Sequence, residues 1–173
     1  MAEDLKILFT KEEIAEATAT IAEEINRDYE GREIVLLGIL TGAFLFLADL
    51  VRLIKVDCKI DFVRLSSYGN DTASSGKVEK LMSHKLDLTG ANVIVVEEVV
   101  DTGLTLSYFL EDLKSSGPKE VKVCSLVDKR ECRKKEIEID YAGFVIEDGF
   151  LLGYGMDLAE RLRNLPDIRV KED

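Results

Sequence analysis

The sequence predicts an α/β domain, a mostly parallel twisted sheet flanked by helices. Apolar runs of strand length recur along the chain, and several are continuous rather than alternating, as in strands buried on both faces. Helical patterns fall between them, and this alternation favours parallel strands joined by crossover helices. No internal repeat, low-complexity tract or long linker divides the 173 residues, so 1–173 read as one domain.

The elements follow in order. Thr10 with Glu13 is a capping-box signature, and Ile14, Ala17, Ile21 and Ile25 recur at helical spacing to about Asp28. Residues 33–40 form a continuous apolar run that ends at Gly42, a buried strand. A helix over 43–54 and a strand over 59–65 follow. Residues 66–76 are a long polar loop of turn formers, and loops of that length are often functional. Residues 78–81 return as a short strand. Residues 92–96 form a strand that ends in Glu97 and Glu98, and 105–115 form a helix closed near Gly117-Pro118. Strands over 120–127 and 141–146 and a last short helix over 157–164 complete the pattern.

Composition narrows the function. Hydrophobic residues make up 46% of the chain, enough for a sizeable core. The net charge of −11 repels phosphate backbones, so broad nucleic-acid binding is disfavoured. Cys58, Cys124 and Cys132 are scattered and lack CxxC spacing, which suggests reduced thiols rather than a disulfide frame or zinc site. With an acidic N-terminus and no apolar run of membrane-spanning length, the expectation is a cytoplasmic protein without membrane contact.

The chemistry concentrates at one strand end. In parallel sheets, ligands bind beyond the carboxyl ends of the strands. Here Val93–Val100 carries two acids, followed by Asp101-Thr-Gly-Leu-Thr105 at a helix start. Carboxylates in so apolar a strand are costly unless a cation or hydrogen-bond donors meet them. Backbone N–H groups and threonine hydroxyls at a helix N-terminus suit a phosphate. Asp101 or Thr102 could instead merely cap the helix. Asp-Thr-Gly also occurs in aspartic proteases, but their all-β architecture does not fit strand–helix alternation.

Taken whole, Val95-Val-Glu-Glu-Val-Val-Asp-Thr-Gly-Leu-Thr105 resembles the phosphoribosyl-pyrophosphate (PRPP) motif of type I phosphoribosyltransferases. Leu40-Thr-Gly-Ala-Phe-Leu-Phe-Leu-Ala-Asp-Leu50, Ser67-Tyr-Gly-Asn-Asp71, Leu126-Val-Asp-Lys129 and Gly149-Phe-Leu-Leu-Gly-Tyr-Gly-Met-Asp-Leu158 narrow the resemblance to the hypoxanthine-guanine phosphoribosyltransferases. It covers nearly the whole chain. The resemblance implies the type I fold, with a small hood formed by terminal segments. It also implies transfer of the 5-phosphoribosyl group from PRPP to N9 of hypoxanthine or guanine, giving IMP or GMP and pyrophosphate.

The same resemblance assigns roles. Asp101 is the expected general base near purine N7, the alternative being a helix-start acid without a proton to move. Thr102, Gly103, Leu104 and Thr105 are expected around the 5′-phosphate, with Glu97 and Glu98 on the ribose hydroxyls, directly or through Mg2+. Lys129 is expected to donate to purine O6, which a donor-only ammonium can do for a 6-oxopurine and not for the amino group of adenine. The basic run after Lys129 reads as a solvated loop. Phe150 stacks on the base unless it is ordinary core, and Leu151 offers its carbonyl to the base edge. Asp157 holds Mg2+ on pyrophosphate, and Arg163 pairs with pyrophosphate oxygens. Leu40, Thr41 and Gly42 form the pyrophosphate loop, in which the peptide bond before the middle residue can be cis. Ser67 and Tyr68 lie in the loop expected to close over the substrates and exclude water. A homodimer or homotetramer is expected.

Two positions depart from the family pattern. Glu98 stands where Asp is usual, and Thr41 stands where Lys or Arg is frequent. Two other readings are an RNA-binding regulator on the same fold, against which the net charge argues, and an enzyme of that fold acting on another base, against which Lys129 with Phe150 argues.

Overall fold

The computed structural model describes residues 5–67 and 78–171. Strand β1 (Leu5–Phe9) leads into helix α1 (Lys11–Asp28), then β2 (Ile34–Leu40), α2 (Phe44–Val51), β3 (Cys58–Ser67) and β4 (Val78–Met82). Next come β5 (Asn92–Val100), α3 (Leu104–Ser115), β6 (Glu120–Lys129), β7 (Tyr141–Ile146), β8 (Leu151–Leu152) and β9 (Ile168–Lys171).

Six strands form one sheet in the order β4-β3-β2-β5-β6-β7, parallel throughout except for β4, which returns antiparallel along β3. A second, antiparallel sheet of order β1-β9-β8 draws both terminal segments together, the expected hood. Phe9 stacks on Phe144 of β7 with ring centroids 3.8 Å apart and so ties the hood to the main sheet.

The strand pleat divides the core in two. Ile34 and Leu36 of β2 with Ile94 and Val96 of β5 pack under α1 and α2, whereas Val35, Leu37, Val93 and Val95 pack under α3. Continuous apolar runs are what two covered faces require. Helix α1 starts at the predicted capping box: Thr10 N–H donates to Glu13 Oε2 at 2.8 Å, and Glu13 N–H donates to Thr10 Oγ1 at 3.2 Å. Its buried stripe is Ile14, Thr18, Ile21, Ala22 and Ile25. Thr18 replaces the expected Ala17, and its hydroxyl is satisfied by the Ile14 carbonyl at 2.7 Å.

Several elements differ from expectation. Helix α2 ends at Val51 because Leu53 and Ile54 bond back three residues, to Leu50 and Val51, and close a tightened last turn. Strands β5 and β6 run on to Val100 and Lys129, because parallel pairing continues from Glu97–Ser125 through Val100–Asp128. Residues 157–164 are turns rather than a helix. Ala159, Glu160 and Leu162 have positive φ, which a right-handed helix does not allow. The Asp157 carboxylate accepts the Glu160 N–H at 2.8 Å like a helix cap, but the chain turns away to reach the hood.

Candidate active site

The carboxyl ends of β2, β5 and β6, the start of α3 and the turns after β8 converge. Val96 packs under the α1–α2 face, so the next two pleat positions send Glu97 toward the α3 side and Glu98 toward the hood. Each acid lines a cleft. Glu98, Asp101, Lys129, Phe150, Leu151 and Asp157 line one of about 220 Å³. Glu97, Asp101, Thr102, Gly103 and Thr105 line the other, of about 260 Å³. Asp101 borders both, so the candidate base lies between the two.

In the first cleft, Lys129 ends β6 and is only 7% exposed. Its ammonium donates to Asp101 Oδ2 at 3.0 Å and lies 3.5 Å from Asp148 Oδ1. Burial disfavours the charge, but the two carboxylates outweigh it and hold the Lys129 pKa above the ordinary lysine value. Asp148 is fixed in turn by the Gly149 N–H at 2.7 Å and the Cys132 thiol at 3.1 Å. These contacts, the Gly149 N–H foremost, keep the Asp148 carboxyl below its usual range. Phe150 is 52% exposed, a ring on the cleft rim and not core. Leu151 is buried and paired with Val170 in the hood.

In the second cleft, α3 begins at Gly103 in the left-handed region (φ 75°) and has no side-chain cap. Asp101 therefore does not cap the helix; it faces Lys129 instead. The Leu104 N–H meets only the Thr102 hydroxyl oxygen, at a long 3.4 Å, so the amides of this first turn can turn to an anion. A glycine is required at 103: a Cβ there would lie 2.8 Å from the Lys135 carbonyl oxygen, in a conformation that side chains resist. Thr105 lines this cleft, while Leu104 is largely exposed.

The loop after β2 packs behind Glu98. The Leu40–Thr41 peptide bond is cis, the isomer the resemblance allowed, and the Thr41 side chain is exposed. A Cβ on Gly42 would lie 1.7 Å from Glu98 Oε1, and one on Gly155 would lie 2.0 Å from the Gly42 carbonyl oxygen. Gly42 therefore accommodates the longer acid at position 98. Arg163 donates to the Gly155 carbonyl at 2.7 Å and pairs with Asp157 at 2.8 Å and Glu160 at 3.1 Å. Asp157 and Arg163 are thus brought together on the hood side. Ser67 ends β3, and Tyr68 lies outside the described residues.

Charge is incompletely matched around the acidic pair. Burial, and then the neighbouring Glu98, push the Glu97 carboxyl well above the usual range. Glu98 Oε2 is buried without a hydrogen-bond partner. An orphaned carboxylate oxygen beside a second acid suits a hard cation that takes oxygen ligands. Among the described residues, no three or more His, Cys, Asp or Glu side chains cluster as a metal cage. Both Asp157 oxygens already have partners, Arg163 on one and the Glu160 N–H on the other.

Sequence reasoning missed Arg133, Asp128 and Asp148. The solvated-loop expectation for the basic run fails at Arg133, which is 11% exposed and turned inward onto the phosphate loop. Its inward direction had no signal in spacing or composition, since it is one of five bases between Lys129 and Lys135.

The comparisons with known proteins bear on this arrangement. Residues 4–159 match the model of the phosphoribosyl transferase domain. The chain is 39% identical to the hypoxanthine-guanine phosphoribosyltransferase of Bacillus subtilis, over 95% of this chain and 92% of that one. The chain belongs to the hypoxanthine-guanine phosphoribosyltransferase family. A crystal structure of a hypoxanthine-guanine phosphoribosyltransferase from Bacillus anthracis superposes with a TM-score of 0.90 at 44% identity, covering 97% of this chain and 99% of that one. The chain also matches the bifunctional protein TilS/HprT of Listeria monocytogenes at 41% identity, spanning 95% of this chain and about a quarter (26%) of that protein's length. The two-sheet architecture is therefore the type I phosphoribosyltransferase fold. Among the described residues, no helix is long and apolar enough to cross a membrane.

Proposed function

We propose that this chain is a purine-salvage enzyme that transfers the 5-phosphoribosyl group from PRPP to N9 of hypoxanthine or guanine, giving IMP or GMP and pyrophosphate. The observation that carries the reading is the buried Lys129 ammonium 3.0 Å from the Asp101 carboxylate in a cleft rimmed by Phe150. The purine stacks on Phe150 and meets the Leu151 carbonyl, with O6 accepting from Lys129. The 5′-phosphate lies on the Thr102–Thr105 amides, and the ribose lies between Glu97 and Glu98. Pyrophosphate meets Leu40, Thr41, Gly42 and Arg163.

The chemistry follows from these places. As the bond from C1 to pyrophosphate breaks, its electron pair leaves with that group and positive charge grows on the ribosyl ring. Two acids across the ribose favour that charge more than they favour the ground state, which lowers the barrier. N9 then supplies the electron pair of the new bond, on the face opposite to the leaving group. The purine proton passes from N7 to Asp101, which the Lys129 contact keeps oriented. Mg2+ bound to substrate oxygens would neutralise phosphate charge, with Glu97 or Glu98 holding it on the ribose side, where the orphaned Glu98 oxygen would gain a partner, and Asp157 holding it on pyrophosphate.

The enzyme works in the cytoplasm, in keeping with the free thiols of Cys58, Cys124 and Cys132, without nucleic-acid or membrane partners, as a homodimer or homotetramer. The exposed apolar side chains Phe44, at the start of α2, and Leu53, just after its end, are compatible with burial between copies, and light scattering after size exclusion would report the copy number. The deciding assay offers PRPP and magnesium with hypoxanthine, guanine, xanthine, adenine and uracil in turn. Product is expected from hypoxanthine or guanine and not from adenine or uracil, and turnover of no 6-oxopurine would overturn the proposal.

A further inference from the structure

We infer that Arg133 is a positioning residue that sets the place of Asp101 and the phosphate loop relative to Lys129. Its Nε donates to the Asp101 carbonyl at 3.0 Å. Nη2 lies against the carbonyls of Val100 at 3.4 Å and Lys129 at 3.3 Å, and Nη1 against that of Ile137 at 3.4 Å. Nη2 also pairs with the Asp128 carboxylate, itself only 6% exposed. A single planar guanidinium therefore joins the carboxyl end of β5, the carboxyl end of β6 and segment 130–137.

That geometry bears on the site in two ways. The carbonyls it holds belong to the candidate base and to the O6 donor, so it fixes the backbone from which both side chains project. It also presses segment 130–137 onto the phosphate loop, where the Lys134 and Lys135 N–H groups donate to the Thr102 carbonyl at 2.9 and 3.1 Å. The Arg133 Cδ lies 3.2 Å from where a Cβ of Gly103 would be. A lysine at 133 keeps the charge opposite Asp128, but its point charge lacks the fork that spans several acceptors in one plane. The guanidinium's hydrogen bonds go to backbone carbonyls and to Asp128, not to side chains lining either cleft, so its effect on turnover is exerted through Asp101, Thr102 and Lys129. This assignment rests on the catalytic reading of Asp101 and Lys129 given above.

The test uses the full-length wild-type protein with R133K, R133M and R133A, each first shown to be folded by circular dichroism. Amide hydrogen exchange without substrates is read at Lys134 and Lys135, with Leu36 in the core as internal control. In R133M these two amides are expected to exchange at least ~10-fold faster with Leu36 unchanged. With PRPP and hypoxanthine, kcat/KM is expected to fall at least ~10-fold, mostly through kcat, because misplacement of reacting groups acts on the chemical step. R133K is expected to lie within a few-fold of R133M, and added guanidinium at sub-denaturing concentration should restore part of the R133A rate where methylammonium does not. Unchanged exchange at Lys134 and Lys135, wild-type kinetics in R133M, or full activity in R133K would each overturn the assignment. The exchange readout needs no turnover, so a wild-type protein inactive with PRPP and every 6-oxopurine would sink the catalytic reading while the Arg133 brace stayed measurable.

Discussion

At the amino ends of β6 and β7, Tyr29 donates to Glu120 at 2.7 Å, Tyr141 donates to Asp28 at 3.0 Å, and the Lys122 ammonium lies 5.4 Å from both ring centroids. Burial works against the Asp28 charge, but the Tyr141 hydroxyl and Arg27 outweigh it and keep its carboxyl below the usual range. One neutral oxygen, Asn92 Oδ1, is left unpaired there. At the carboxyl end of β5, the orphan is a carboxylate oxygen, Glu98 Oε2, beside a Glu97 whose pKa burial and Glu98 push up. An unpaired ion costs far more than an unpaired amide. The same sheet therefore stores stability at one end and unmet charge at the other, and the unmet charge lies where the substrate's cationic and metal-bound parts are proposed to sit.

Substitutions at the two ends of the sheet are expected to act differently. At the carboxyl end, Asp101→Asn is expected to lower kcat by roughly 10²- to 10⁴-fold with PRPP binding mostly kept. Equilibrium binding of PRPP beside steady-state rates checks this, and loss of binding alone would make Asp101 a structural residue. Gly42→Ala is expected to cost about 1–3 kcal/mol of stability, since the new Cβ would lie 1.7 Å from Glu98 Oε1, and to impair turnover as well. Gly42→Ala combined with Glu98→Asp should recover part of the loss, because the shorter acid draws back. Thermal unfolding of the single and double variants measures this coupling.

Tyr29→Phe, at the amino end, should cost about 1 kcal/mol with kcat and KM unchanged. A fall in kcat as large as the Asp101 effect would erase the distinction between the two ends. The smallest effect concerns Glu97. Its native pKa is raised, so between its unfolded value and its native value the folded protein holds a proton that the unfolded chain has lost. Stability from this group therefore falls as pH rises through that window. Glu97→Gln is expected to raise the metal-free melting temperature at neutral pH by a few degrees. Magnesium should raise that of the wild type and leave the variant nearly unmoved, and the opposite order in a thermal scan with and without magnesium would count against the cation site.

Much of this molecule was legible in one dimension. The capping box at Thr10 and Glu13, the two-faced strands β2 and β5 and the Asp101–Thr105 loop depend on near neighbours and on side-chain period, which sequence records directly. Residues 157–164 were misread because Arg163 bonds back to Gly155 and Asp157 and closes a looped turn, which wins over a pattern with helical spacing. The short strands β1, β8 and β9 were not read individually, since each pairs only with segments remote in the chain.

The sheet class, the acidic strand end and the chemical types gathered after it follow from residue order, because they rest on periodicity, apolar content and charge. How those types meet depends on the folded chain, in which strand pairing brings distant residues together. Folding turns Asp101 away from the helix start toward Lys129, closes Gly42 against Glu98, and brings Arg133 inward from a run of equivalent bases. The physical reason is reach: hydrogen bonds and burial act over a few ångströms in space, and residues 28 and 32 positions apart come within that distance only when the strands have paired.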